Sequence, residues 1–140
     1  MRGIITRSLG LDIGDKRIGV ALSDPRGILA SPLTIIDRTD EERDVDAIAA
    51  IVKEREIGQI IVGLPRSLSG SEGEQAEKVR AFVEKLRGRI GVALEFRDER
   101  LTTVSARRLV REAGRRKSRE RQDDAFAAAV ILQGYLDEAR

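Results

Sequence analysis

Three short apolar runs broken by tight turns fill the first 37 residues, and beyond them helical and strand-like segments alternate. Ser8 to Ile13 reads as a strand that ends at the turn pair Gly14-Asp15. Arg17 to Ser23 alternates, with Ile18, Val20 and Leu22 on one face and Gly19, Ala21 and Ser23 on the other. Asp24-Pro25-Arg26-Gly27 is a turn, and Ile28 to Asp37 is a third strand whose Pro32 argues for a sheet edge. Short connections make these three an antiparallel meander. Asp40 to Glu56 has helical spacing, with Val45, Ile48, Ala49 and Val52 on one face, a cap from Thr39 or Asp40, and Gly58 as its stop. Gln59 to Gly63 is almost wholly apolar, as a central parallel strand is. Ser71 to Gly88 is a helix opened by a Ser71–Glu74 capping box, with Ala76, Val79, Val83 and Leu86 inward. Val92 to Arg97 is a fifth strand. Thr102 or Thr103 opens a helix that runs to Ala113 and stops at Gly114, and a charged loop spans Arg115 to Gln122. Asp124 to Leu136 is a final helix, apolar on most sides and so deeply buried. The order βββ-α-β-α-β-α-α predicts an α/β fold, a mixed five-stranded sheet with helices on both faces, in one domain over residues 1–140.

The chain has neither cysteine nor histidine. Disulfides, thiolate or imidazole metal sites and Ser-His-Asp chemistry are therefore excluded. Any catalysis falls to carboxylates, with a hard divalent cation as their natural helper. Met1 to Ser8 is short and polar, and no run approaches about 18 apolar residues, so neither a signal peptide nor a membrane span is expected. A cytoplasmic location is the default expectation. Charge is unevenly placed: residues 1–99 sum to −2, residues 100–121 to +7 and residues 122–140 to −3. A concentrated cationic segment beside acidic ones suggests a polyanionic partner. Phe82, Phe96 and Phe126 all fall in predicted core elements, which argues against a single-strand stacking module.

Several constellations carry potential chemistry. Asp12 ends the first strand, where an acid is costly unless charged partners or a metal compensate. Gly14 and Gly19 leave open space beside it, as close approach of backbone or phosphate needs. The plainer reading makes Asp12 a turn cap together with Asp15. Asp98-Glu99 follows the fifth strand, where α/β sheets place ligands. Asp98 reads best as a cap, and Glu99 is either a cap or functional. Asp123-Asp124 opens the most apolar helix; Asp123 suits the cap, and Asp124, in line with Ala128 and Ile131, should face the sheet. The Gly63–Ser71 connection holds Arg66 but lacks the ending of a nucleotide phosphate loop. The basic run from Arg100 through Arg121 suits sequence-independent phosphate contacts, though a solvated face is the common reading of such a run.

The stretches Leu11-Asp12-Ile13-Gly14-Asp15-Lys16-Arg17-Ile18-Gly19-Val20-Ala21, Val62-Gly63-Leu64-Pro65, Gly70-Ser71-Glu72, Asp98-Glu99-Arg100-Leu101-Thr102-Thr103, and Asp124-Ala125 through Ile131-Leu132-Gln133-Gly134-Tyr135-Leu136 resemble, in order and over nearly the whole chain, the YqgF/RuvX family of the ribonuclease H-like superfamily. Members are described as Holliday junction resolvases and as nucleases that mature the 5′ end of pre-16S rRNA. The resemblance implies a sheet of order 3-2-1-4-5. It also implies Asp12, Glu99 and Asp124 as a catalytic triad binding two Mg²⁺ or Mn²⁺ ions about 3.5–4 Å apart. Lys16, Arg17, Arg66, Arg100, Arg107, Arg111, Arg115, Arg116 and Lys117 are then the candidates to hold phosphates of structured RNA or branched DNA. Cutting a four-way junction would call for a homodimer. The chain departs from many ribonuclease H-like nucleases at Gly63-Leu64-Pro65, where the fourth strand ends without an acid. The triad closes only if the Asp98–Arg100 turn folds inward. Two rivals stand beside this reading. Asp12-Ile13-Gly14 with Gly19 also looks like the first phosphate loop of sugar kinases and actin-like ATPases, which need a second such domain. A nucleic-acid-binding factor of ribosome assembly or transcription, without catalysis, would need no acids at all.

Overall fold

The computed structural model describes residues 7–65, 73–101, 104–114 and 122–139, and of 113, 114, 122 and 123 the backbone alone. Strands β1 (Arg7–Ile13), β2 (Arg17–Ser23) and β3 (Ala30–Asp37) form the antiparallel meander. Strands β4 (Ile57–Leu64) and β5 (Ala93–Asp98) extend it in parallel, giving the order β3-β2-β1-β4-β5. The first strand is thus central, because the chain crosses back over the sheet through a helix before β4 pairs with it.

Period-two alternation divides the core. Leu9, Leu11 and Ile13 of β1, with Ile60, Val62 and Leu64 of β4, pack against helices α1 (Glu41–Glu54) and α2 (Glu74–Arg87) through Val45, Ile48, Val79, Phe82 and Leu86. Each such side chain, when fully buried, contributes roughly 1.5–3 kcal/mol. The opposite face meets helices α3 (Val104–Gly114) and α4 (Gln122–Ala139) through Ala21, Ile61, Ala106, Val110, Ala128, Ala129 and Leu132. Small residues bring α4 close: a Cβ at Gly10 would stand 2.8 Å from Leu132 Cβ and 2.9 Å from the Ala128 carbonyl oxygen. The buried Gln133 amide ties α4 to the sheet edge. Its oxygen accepts from the Ala30 N–H at 2.9 Å and its nitrogen donates to the Ile28 carbonyl at 2.8 Å.

Several boundaries differ from the sequence reading. Asp40 does cap α1, accepting from the Arg43 N–H at 2.9 Å. That helix ends at Glu54, and the reversal is made by Glu56 at φ 55°, not by Gly58. Gly58 lies inside β4, skipped where Arg7 faces Ile57 and Ser8 faces Gln59, so it serves as a bulge. Pro32 lies on the edge strand as expected, beside a second register shift. The N-cap of α2 is Gly73, with no side-chain cap, so the helix opens after the expected Ser71, which lies outside the described residues. Thr102 and Thr103 also lie outside them. Helix α4 begins at Gln122, which places Asp123 inside the first turn and not at the cap. Among the described residues no helix is long and apolar enough to cross a membrane.

Candidate active site

Alternation along β1 sends Leu11 and Ile13 into the α1–α2 core and leaves Asp12 on the α4 face, opposite Gly19 of β2. The turn after it is tightly fixed. The Gly14 N–H donates to the Arg17 carbonyl at 2.9 Å, and a Cβ at Gly14 would sit 2.9 Å from that same oxygen. Arg38 braces the turn from β3. Its N–H donates to the Lys16 carbonyl at 2.9 Å, and its guanidinium donates to the Gly14 carbonyl at 3.0 Å and to the buried Asp44 at 3.1 Å. Gly19 does not leave space for a phosphate. A Cβ there would overlap the Asp124 carbonyl, so the first turn of α4 occupies that space. The same missing side chain brings Asp124 toward Asp12.

Glu99 reaches Asp12 because the turn after β5 folds inward. After β5 the chain enters a 3₁₀ turn, Glu99–Leu101. Asp98 accepts from the Arg100 backbone N–H at 2.9 Å and pairs with its guanidinium at 2.7 Å. Glu99 instead hydrogen-bonds the Asp12 carboxyl. Its Cγ and Oε1 lie 3.3 Å from where a Cβ of Gly63 would stand. Gly63 thus leaves room at the end of β4, which the Ile131 side chain and Glu99 share. Arg97 anchors the turn to α4. Its buried guanidinium meets Glu138 twice at 2.9 Å, donates to the Leu101 carbonyl at 3.3 Å, and lies against Gly134.

The electrostatics follow from this crowding. Burial, then the charges of Glu99 and Asp124, and then the hydrogen bond to Glu99 push the Asp12 carboxyl up to about 7. Glu99 is also raised, by burial first and by neighbouring Asp98, against the opposing effect of its bond to Asp12. Asp12 therefore keeps its proton into the neutral range and donates it to Glu99. Asp124 accepts from Arg17 Nε at 2.8 Å, an ion pair whose side chains are 53% and 38% exposed for Arg17 and Asp124. Among the described residues no three Asp, Glu, His or Cys side chains converge as a ready metal cage. The donors are all carboxylate oxygens, which suit a hard cation such as Mg²⁺ or Mn²⁺. Asp12 and Glu99 fit such an ion, and Asp124 fits once it parts from Arg17.

A cleft of about 550 Å³ opens over the pair. Asp12 and Glu99 line it together with Phe126, Val130 and Ile131 of α4 and Arg107 of α3. Phe126 is therefore a cleft residue and not wholly a core one, and the Arg111 guanidinium lies 5.9 Å from its ring centre. Lys16 is exposed on the β1–β2 turn, while Arg17 and Arg100 are engaged by Asp124 and Asp98. Arg66, Arg115, Arg116 and Lys117 lie outside the described residues. Sequence reasoning missed Arg38, Arg97 and Phe126. Asp44, one turn before Ile48 on the inward face of α1, was the available signal for a buried cation, and Gly134 inside a helix was the signal for a close neighbour.

A family described as "RuvX: Holliday junction resolvase" matches residues 6–138. A Desulforamulus reducens protein named "Putative pre-16S rRNA nuclease" is 47% identical over 132 residues, spanning 94% of this chain and 96% of its own. A Dehalococcoides mccartyi protein of the same name is 52% identical over 126 residues, spanning 90% and 94%. Among solved structures, Thermus thermophilus RuvC in complex with a Holliday junction substrate superposes with a TM-score of 0.69 over 96% of both chains, at 16% identity, which shows a common ribonuclease H-like fold. The chain belongs to the YqgF/RuvX family of nucleases.

Proposed function

We propose that the chain is a divalent-metal-dependent endonuclease that hydrolyses phosphodiester bonds of structured nucleic acid, with precursor 16S rRNA as its substrate. The observation that carries this reading is the Asp12–Glu99 carboxyl pair, half-buried at the centre of the sheet, proton-sharing, and open to a cleft that Arg107 flanks. A crowded pair of acids, one of which keeps its proton up to about pH 7, is a poor structural device and a good cation site. The names of the relatives at 47% and 52% identity favour RNA over a four-way DNA junction.

Asp12, Glu99 and Asp124 are the residues to hold the ions. The chemistry supplied by such a bound cation is a lowered pKa for an attacking water and charge stabilisation at the leaving 3′ oxygen. The chain's own contributions are distinct. Gly19 and Gly63 let α4 and the Glu99 turn close around Asp12. Arg97 holds that turn against α4. Arg107 offers a cation to a phosphate in the cleft, and the α4 wall of Phe126, Val130 and Ile131 keeps water from one side of it. A precursor 16S rRNA fragment and a four-way DNA junction, incubated side by side with Mg²⁺, Mn²⁺ or chelator, test the reading. Cleavage of the RNA that vanishes with chelator is expected. Cutting of the junction alone moves the substrate to branched DNA and implies a homodimer. Tight binding with no cutting of either supports a non-catalytic factor instead.

A further inference from the structure

We propose that Arg17 is a positioning residue that couples nucleic-acid binding to metal loading, by exchanging the Asp124 carboxylate for a substrate phosphate. The inference rests on the reading of Asp12, Glu99 and Asp124 as metal ligands, and it explains why only two of the three are turned to one another. Arg17 Nε occupies Oδ2 of Asp124 at 2.8 Å. A cation and a guanidinium compete for the same oxygen lone pairs, and each repels the other. Whatever draws Arg17 away therefore strengthens the metal site.

The surroundings make this exchange a matter of side chains alone. The Arg17 backbone is held by the Gly14 N–H, and the turn by Arg38. The Asp124 backbone is held by its packing on Gly19. The Arg17 side chain is 53% exposed, within reach of a nucleic-acid backbone. Lys16, exposed beside it, adds to the pull on a phosphate. Guanidinium prefers the planar two-point contact that a phosphate offers. The pair of Arg100 with Asp98 has no such consequence, because Asp98 is not one of the three acids read as metal ligands. Linkage then requires that nucleic acid raise metal affinity and that metal raise nucleic-acid affinity by the same factor. The benefit is a nuclease whose metal site is completed by its substrate.

The test is Mn²⁺ affinity by calorimetric titration of the full chain, alone and with a saturating hairpin RNA checked on a gel for intactness. The wild type is expected to bind Mn²⁺ roughly fivefold more tightly with RNA than without. Arg17→Gln is expected to bind Mn²⁺ roughly fivefold more tightly than the wild type without RNA, and to lose the RNA effect. Arg17→Lys should keep part of it, since charge remains without the planar fork. Unchanged or weaker Mn²⁺ binding by Arg17→Gln overturns the proposal while leaving the metal site standing; weaker binding would mean that Arg17 supports Asp124. Wild-type Mn²⁺ affinity in Asp124→Asn, with loss in Asp12→Asn, removes Asp124 from the site and the exchange with it. No Mn²⁺ binding by any of these proteins, even with RNA, defeats the metal reading itself and this inference together.

Discussion

Replacing Asp12 by asparagine keeps the side chain's shape and a donor for Glu99 while removing the ionisable proton. The folded protein holds that proton up to about pH 7, against 3.8 for an ordinary aspartate. Between those values the folded state binds more protons than the unfolded one, so stability falls as pH rises through the window. Glu99, also raised, acts in the same direction. The full gap corresponds to a ceiling of about 4 kcal/mol, and the water that still reaches the side chain reduces it to roughly 2–4 kcal/mol. In chelator at pH 8, Asp12→Asn should therefore melt about 6–15 °C above the wild type. At pH 4 the two should nearly coincide. Thermal melts of both proteins at the two pH values decide it. A loss of about 0.5–2 kcal/mol of the same size at both, as a turn cap would give, would refute the reasoning and return Asp12 to a purely structural role.

Two further perturbations follow. Gly19→Ala puts a methyl group into the Asp124 carbonyl, so it should lower stability by roughly 1–3 kcal/mol and cut nuclease activity by displacing Asp124; melting with cleavage assays on one preparation checks both, and a neutral outcome would mean that α4 is free to shift. Replacing Arg115, Arg116 and Lys117 together should weaken RNA binding and flatten its dependence on salt by about one to three in the log–log slope; an unchanged slope would show that these residues do not touch phosphate.

The sheet was legible because its signals are local. Alternation over Arg17–Ser23, the apolar run before Gly63 and the edge proline each depend on neighbours in sequence. The boundaries that slipped depend on longer-range facts. Glu56 takes the left-handed turn that a glycine would ordinarily take, while Gly58 is absorbed by a bulge against β1. Asp12 and Asp124 could be picked out as acids where apolar residues belong. Glu99 is marked by its place after β5 and by the family resemblance, but its approach to Asp12 is not legible locally, because it depends on the room at Gly63 that it shares with Ile131 and on the Arg97–Glu138 anchor, contacts made across the fold. The same holds for Arg17, whose sequence suggests only a phosphate ligand until Asp124 is seen beside it.

The most direct test of the central claim, that Asp12 and Glu99 form the working centre of a nuclease, is single-turnover cleavage of a precursor 16S rRNA fragment by Asp12→Asn and Glu99→Gln, with RNA affinity measured on the same proteins. Expected is a loss of cleavage of about 10³-fold or more in each, with affinity within a few-fold of the wild type. Wild-type cleavage by both variants would contradict the claim, and normal cleavage by Glu99→Gln together with loss in Asp98→Asn would move the second ligand one residue back along the turn.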